Sequence, residues 1–256
     1  MSAPLTEAQR TFFHAGAQIF MEKYRQRRSK LFYSMFPDED VTLEDGSIMY
    51  ARHKYAKHME FFAAGLTYRE RCFMAGNRVG KTWGGGGYEM TAHLTGKYPE
   101  WWEGRKFTRP IKTWAAGKTN STTRDILQAT FLGDMSIEDG RRKFDGTGIV
   151  PGDLLGATIF KTGLPDLVDT VRVRHSSGGW SVLGFKSYQQ GRGAFEGTAQ
   201  HAILLDEEPP ADIYGECLIR TMTTNGIILL TFTPLEGLTE VVLQFMPQDK
   251  DDDINY

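Results

Sequence analysis

Apolar residues open the chain at helical spacing: Phe13, Ala17, Phe20 and Tyr24 share one face of a helix predicted over residues 5–30. The end of that helix, residues 25–30, is strongly basic, which suits a solvated helix end or a contact with DNA or a partner. Residues 36–47 are acidic and turn-rich and read as a loop, and residues 55–64 read as a second helix. The period then changes. Arg71-Cys-Phe-Met-Ala is a short apolar run that ends in a glycine loop, and a helix is predicted over 82–94. Residues 111–116 predict a strand and 121–132 a helix. Residues 131–167 are rich in Gly, Asp and charge without a clean period, and read as an excursion from the core. Residues 168–174 and 180–186 alternate as strands do. Residues 201–205 and 226–232 are mostly apolar, the pattern of strands buried on both faces. Strands alternating with helices predict an α/β fold with a mainly parallel central sheet flanked by helices. Residues 248–253 form an acidic polar tail expected to fray.

Composition narrows this only slightly. The 256 residues suffice for one large α/β domain, with 40% hydrophobic and 24% charged residues as in ordinary globular proteins. A net charge of −2 gives no global pull toward nucleic acid or anionic membrane, so any DNA contact has to be local. The two cysteines, Cys72 and Cys217, have no metal-ligand spacing and suggest no disulfide framework, which fits a reducing compartment. There is no secretory signal pattern and no apolar stretch near the ~20 residues that span a bilayer.

The chemistry starts at Ala75-Gly76-Asn77-Arg78-Val79-Gly80-Lys81-Thr82. Between a strand and a helix, this differs from G-x-x-x-x-G-K-[ST] only in having Ala75 for the first glycine. Backbone N–H groups of such a loop form an anion nest, strengthened by the N-terminus of the next helix. Gly76 and Gly80 permit backbone conformations that a β-carbon hinders. Lys81 reaches the β- and γ-phosphates of a nucleoside triphosphate, and the Thr82 hydroxyl is a ligand for Mg²⁺. Gly84 to Gly87 weaken the helix start, either loosening it or allowing it to pack closely on the sheet or nucleotide.

A second element is the apolar strand ending in Asp206-Glu207-Glu208, stopped by Pro209-Pro210. Asp206 is placed to hold Mg²⁺, and Glu207 to polarise a water for attack on the γ-phosphate; no role is assigned to Glu208. Thr231 and Thr233 end the next buried strand, where they either sense the γ-phosphate or simply close a β-branched run before Pro234. Charge developing on the phosphate calls for a guanidinium. Arg78 lies inside the loop, Arg192 lies in a glycine-flanked turn read as flexible between two strands, and Arg124 is a third, weaker candidate.

These elements, in this order, resemble the ATPase domain of the large terminase subunit of tailed double-stranded-DNA bacteriophages, most nearly the short-tailed, headful-packaging type. The likeness rests on Arg71-Cys-Phe-Met-Ala-Gly-Asn with Gly-Lys-Thr, His93-Leu-Thr-Gly-Lys-Tyr-Pro, Gln190-Gly-Arg, Asp206-Glu-Glu-Pro-Pro and Thr231-Phe-Thr-Pro-Leu, and it covers residues 55–245. It implies a P-loop NTPase of the ASCE type that hydrolyses ATP with Mg²⁺ to drive double-stranded DNA into a procapsid. It also implies a ring of identical subunits, usually five, on the portal protein, with DNA brought by the small terminase subunit, in the host cytoplasm. Asp206 and Glu207 match the Walker B pair, Thr231 to Thr233 the coupling motif, and Arg78 the loop arginine. Arg192 matches a trans-acting arginine finger. Tyr55-Ala-Lys-His58 aligns with the adenine-recognition segment, where His58 replaces a frequent glutamine and Tyr55 offers a ring for stacking.

The resemblance divides the chain into an N-terminal helical extension or lid (1–54), the ATPase core (55–246) and a linker or tail (247–256). Three adjacent aspartates, Asp251 to Asp253, do not build the metal-binding cluster of the family's nuclease domain, so no DNA cleavage is expected of this chain. The rival readings are a helicase-type translocase, a small-molecule kinase, which has no need of Glu207, and a nucleotide-binding switch without turnover. Arg141-Arg142-Lys143 and Arg172 with Arg174 are candidate DNA contacts or solvated charge clusters.

Overall fold

The computed structural model describes residues 6–76, 79–235 and 237–246. Asn77, Arg78 and the 247–256 tail lie outside the described residues. The chain begins with α1 (Glu7–Ser29), α2 (Leu31–Ser34), and a small antiparallel ribbon of β1 (Val41–Thr42) and β2 (Ile48–Met49). Then come α3 (Ala56–Ala64) and β3 (Glu70–Met74). After the glycine loop, widened helical turns over Lys81–Gly87 run into α4 (Tyr88–Thr95), which stops at Gly96 in the left-handed region. β4 (Lys112–Gly117) leads to α5 (Asn120–Thr122), which continues through Thr123–Gln128 into α6 (Ala129–Leu132). Five strands follow: β5 (Met135–Glu138), β6 (Arg141–Phe144), β7 (Leu155–Phe160), β8 (Val168–Arg174) and β9 (Trp180–Ser187). The described chain closes with β10 (Ala202–Asp206), α7 (Ala211–Met222), β11 (Ile227–Phe232) and α8 (Glu240–Gln244).

One seven-stranded sheet, in the order β3-β11-β10-β4-β9-β8-β7, organises the core. From β3 to β9 all pairings are parallel; β8 and β7 extend that end antiparallel. The period of two in a strand sends alternate residues to opposite faces. Ala202 and Leu204 of β10 thus join a core with Tyr88, Met90 and Phe131, whereas Ile203 and Leu205 join one with Ile213, Cys217 and Val242. Both faces are covered, which is why β10 and β11 read as unbroken apolar runs. β11 lies between the strand that enters the glycine loop and the strand that ends in carboxylates, the arrangement of an ASCE-type P-loop fold. Phe32 and Phe36, before residue 55, pack into the same core as Phe61, Phe62 and Tyr88.

Two expectations need correction, and one helix was not foreseen. Residues 131–167 are not wholly an excursion: β5 and β6 form a separate hairpin, but β7 is an edge strand of the main sheet. Its half-exposed residues and two register shifts against β8 explain the missing period. The turn bearing Arg192 is not a flexible loop but a helical turn, Arg192–Phe195, anchored by a fully buried Phe195. And α7, which no spacing argument placed, starts at once after Pro210.

Candidate active site

The sheet's parallel strands all end on one edge, and there the glycine loop, Asp206 and the two threonines meet. In β11, Thr231 lies beside Asp206 in register. Both follow the parity of the face toward α4, so their side chains converge on Thr82. The Thr231 hydroxyl donates to Asp206 Oδ1 at 2.7 Å, and the Thr82 hydroxyl donates to the same oxygen at 2.8 Å. Burial raises the proton affinity of Asp206, and these two hydroxyls oppose it. The donor set at this point, one carboxylate and a hydroxyl of the loop, consists of hard oxygens and suits Mg²⁺.

Lys81 curls back over its own loop. Its ammonium donates to the carbonyl oxygens of Ala75 at 3.0 Å and Gly76 at 2.9 Å, and to Thr233 Oγ1 at 2.6 Å. Burial lowers its proton affinity, and the Asp206 charge raises it. Thr233 donates in turn to Ala75 O at 2.8 Å, so β11 is tied to the first residue of the loop. Gly80 has φ +80°, a conformation that favours glycine, and its carbonyl receives the N–H groups of Gly84 at 2.7 Å and Gly85 at 3.1 Å. The second acceptance is a five-residue spacing, which widens the helix start.

The glycine run is explained by close packing. A β-carbon on Gly86 would come within 2.4 Å of Leu204 Cδ1 and 3.1 Å of Thr231 Cγ2. A β-carbon on Gly85 would meet Phe73, and one on Gly84 would meet His58. The helix behind the loop therefore sits directly on the sheet.

Glu207 is where the strand pattern breaks. Continued alternation would turn its side chain toward α7. Instead its φ is +64°, rare for a residue with a β-carbon, and it lines the cleft together with Asp206. Its N–H donates to Thr231 O at 3.0 Å. The hydroxyl of the buried Tyr188 lies 3.0 Å from Asp206 O and 3.1 Å from Glu207 O. Burial, with the charges of Asp206, Cys217 and Glu207 adding to it, pushes that phenol well above the ordinary tyrosine range, so it keeps its proton. Glu208 lines the cleft as well, and it accepts from the hydroxyl of Thr239, which caps α8.

The cleft has a volume of about 530 Å³. Gly80, Lys81, Thr82, Asp206, Glu207, Glu208, Thr231 and Thr233 line it. It is also lined by Lys118, Trp83 and Ile126, which the sequence reading passed over. Lys118 was findable, since it directly follows β4, the parallel strand beside the one that ends in Asp206.

Other candidate residues lie away from the cleft. His58 is buried against the rings of Phe36, Tyr55 and Phe73, behind Gly80 and Gly84; burial lowers its proton affinity and a backbone contact with Gly80 raises it. Tyr55 packs on His58 and Phe36. Neither is among the residues lining the cleft. Arg192 is clasped by Glu216 of α7, with Nη2 3.1 Å from Oε2, while Arg220 holds the other oxygen at 2.9 Å. Its side chain is 55% exposed. Arg124 pairs with its neighbour Asp125 on the surface. Arg141 lines the outer hairpin, Lys143 pairs there with Glu138, and Arg142 with Asp166. Among the described residues there is no group of three His, Cys, Asp or Glu side chains able to hold a metal, and no helix long and apolar enough to cross a membrane.

Residues 72–254 match the family described as terminase large subunit, T4likevirus-type, N-terminal. The chain is similar to the large terminase subunit of Salmonella phage P22, with 35% identity over 226 residues, which covers 82% of this chain and 44% of that protein. It therefore spans less than half the length of that relative. Among solved structures it is similar to the large terminase ATPase domain of Thermus phage P74-26, with 17% identity and a TM-score of 0.42 over 68% of this chain and 63% of the other.

Proposed function

The chain belongs to the N-terminal family of T4likevirus-type large terminase subunits, and from that premise we propose that it is the ATP-hydrolysing motor part of a machine that drives double-stranded DNA into a viral procapsid. The observation that carries the chemistry is the Asp206 carboxylate, bridged by Thr82 and Thr231, with Glu207 turned into the same cleft.

The loop N–H groups and Lys81 receive the phosphates, and Lys81 exchanges its internal acceptors for phosphate oxygens. Thr82 and Asp206 are the residues that would hold Mg²⁺, which, when bound, neutralises charge on the β- and γ-phosphate oxygens. Glu207, an acceptor aimed into the cleft, orients a water and takes its proton as the water attacks in line. Thr233 bonds both Lys81 and the loop carbonyl, so loss of the γ-phosphate changes the company that β11 keeps. Arg78 and Arg192 are the candidate guanidiniums for the developing charge. Arg192, exposed and outside its own cleft, is read as serving a neighbouring subunit's site in a ring, usually of five, on the portal protein. The small terminase subunit supplies the DNA, and the machine works in the host cytoplasm.

The test is phosphate release. Glu207→Gln should lower turnover by a factor of about 10²–10⁴ while ATP affinity, measured by calorimetry, stays within a few-fold. Wild-type turnover that survives this substitution sinks the assignment.

A further inference from the structure

A strand that ends in Asp206-Glu207 leaves two carbonyl oxygens without sheet partners on the β4 side. β10 pairs with β4 only as far as Leu205 with Ala116. Past that point Tyr188, the first residue after β9, takes over. Its ring is buried, and its hydroxyl sits 3.0 Å from Asp206 O, 3.1 Å from Glu207 O and 3.4 Å from Ala116 O. One phenolic proton thus serves a cluster of three carbonyls at the tips of two strands. On the other side, the Glu207 N–H is fixed by Thr231 O at 3.0 Å. The Glu207 peptide is held from both flanks in a left-handed conformation that an L side chain does not favour, and that conformation is what brings its carboxylate into the cleft.

We propose that Tyr188 is a positioning residue for hydrolysis: its hydroxyl holds the left-handed turn at Glu207 and so sets where the Glu207 carboxylate meets the attacking water. Tyr188 is not among the residues lining the cleft; it acts through the backbone of Glu207. The same residue opens the short segment that carries Arg192 four positions on. Ser187 fixes the start of that segment by a reciprocal side-chain-to-backbone bond with Gln190, and Phe195 is buried at its end. Whatever moves the Arg192 segment is therefore felt at Glu207 of the same chain. The proposal rests on the hydrolytic reading above.

The test is Tyr188→Phe, which keeps the ring and removes only the hydroxyl. Its kcat for ATP should fall about ten- to a hundredfold with KM for ATP and calorimetric affinity within twofold. Hydrogen exchange at the backbone amide of Glu207 should quicken, with the α4 and β11 core amides unchanged. In a Glu207→Gln background, Tyr188→Phe should lower the residual rate no further, because it acts through the residue already removed. Unchanged kcat with unchanged exchange at Glu207 overturns the proposal, as does a loss of kcat and affinity together with general loss of amide protection. A wild type that binds ATP without turnover would instead sink the hydrolytic reading; the exchange measurement still decides whether Tyr188 holds the turn.

Discussion

Asp206 takes hydrogen bonds from two threonines on one oxygen, and the two have different consequences. On the proposed function, Thr82 is expected to exchange its bond for a contact with Mg²⁺. Thr231 stays on the strand side and orients the carboxylate from behind. Outer partners of this kind are worth about 10–100-fold in metal affinity or activity. Thr231→Val keeps the branched shape and buried volume, so the expected outcome is a roughly tenfold rise in the Mg²⁺ concentration giving half-maximal turnover, with ATP binding retained. An unchanged Mg²⁺ titration would show that Thr231 only fills space. At this scale the sequence was partly informative. Residue type and strand end were enough to nominate Asp206, Thr82 and Thr231, but not to show that one oxygen joins all three. Nor did anything in the sequence mark the positive φ of Glu207, since φ is set by what grips the peptide on either side. Tyr188, which supplies half that grip, sits more than a dozen residues upstream and has no motif.

The helix behind the loop shows how a sequence feature that costs propensity gains a structural purpose. Four successive glycines weaken a helix, yet Gly86 lies on Leu204 and Thr231 with no room for a methyl group. Gly86→Ala should overpack that contact and cost about 1–3 kcal/mol. Gly215, inside α7, has open space where a β-carbon would go. Gly215→Ala is expected to stabilise by about 0.4–1 kcal/mol. Thermal unfolding of the two variants should move in opposite directions, and a matched shift would refute the packing argument.

The same helix carries a buried charge network that the apolar reading of β3 concealed. Arg71 donates to both oxygens of Glu89, and His93 Nε2 lies 3.1 Å from Glu89 Oε1. His93 Nδ1 lies 3.0 Å from the Tyr98 hydroxyl, which accepts the Phe107 N–H. A neutral ring with its proton on Nε2 satisfies every link. Burial, helped by Arg71 and Arg105, holds His93 below the ordinary histidine range against the pull of Glu89. Burial raises Glu89, but Arg71 and His93 outweigh it and keep the carboxylate ionised. A lowered folded pKa means that the unfolded chain binds protons first as pH falls. The contribution of His93 is thus complete above its unfolded pKa of 6.5 and is lost below it. Glu89 adds to the loss below its own unfolded pKa of 4.5. Between pH 7 and 5 the denaturant midpoint of His93→Gln should fall less steeply than that of the wild type. An equal slope would mean that His93 does not titrate on unfolding. Elements were legible from sequence where burial was complete on both faces, as in β10 and β11, but not in α7, although its burial is one-sided. They were not legible at the edge, where β7 is half exposed and irregular, and the strand reading of β3 did not show that its Arg71 is paired inside the core.

At the scale of the whole molecule, the arrangement of Arg192 separates a site that is complete within one chain from one completed by a neighbour. Within the chain, Arg192 is committed to Glu216 and does not line the cleft that holds Lys81, Asp206 and Glu207. Its clasp is half exposed, so exchanging Glu216 for a phosphate of another subunit costs little desolvation on the arginine side. Glu216 would not be stranded, because Arg220 still holds its second oxygen at 2.9 Å. If Arg192 serves the neighbour, a site has two owners: Glu207 from one chain and Arg192 from the next. Subunits with Arg192→Ala and subunits with Glu207→Gln should each be nearly inactive in portal-assembled rings, since every interface lacks one of the two groups. Mixed in equal amounts, they place an intact Glu207 beside an intact Arg192 at a fraction of interfaces, and ATP turnover should reappear. If Arg192 acted within its own chain, no mixture could restore it, because each variant site would stay broken. Failure to recover turnover in mixed rings, with assembly verified by mass, would rule out the shared site. Full activity of Arg192→Ala rings would remove Arg192 from the chemistry altogether and leave Arg78 as the guanidinium at the γ-phosphate.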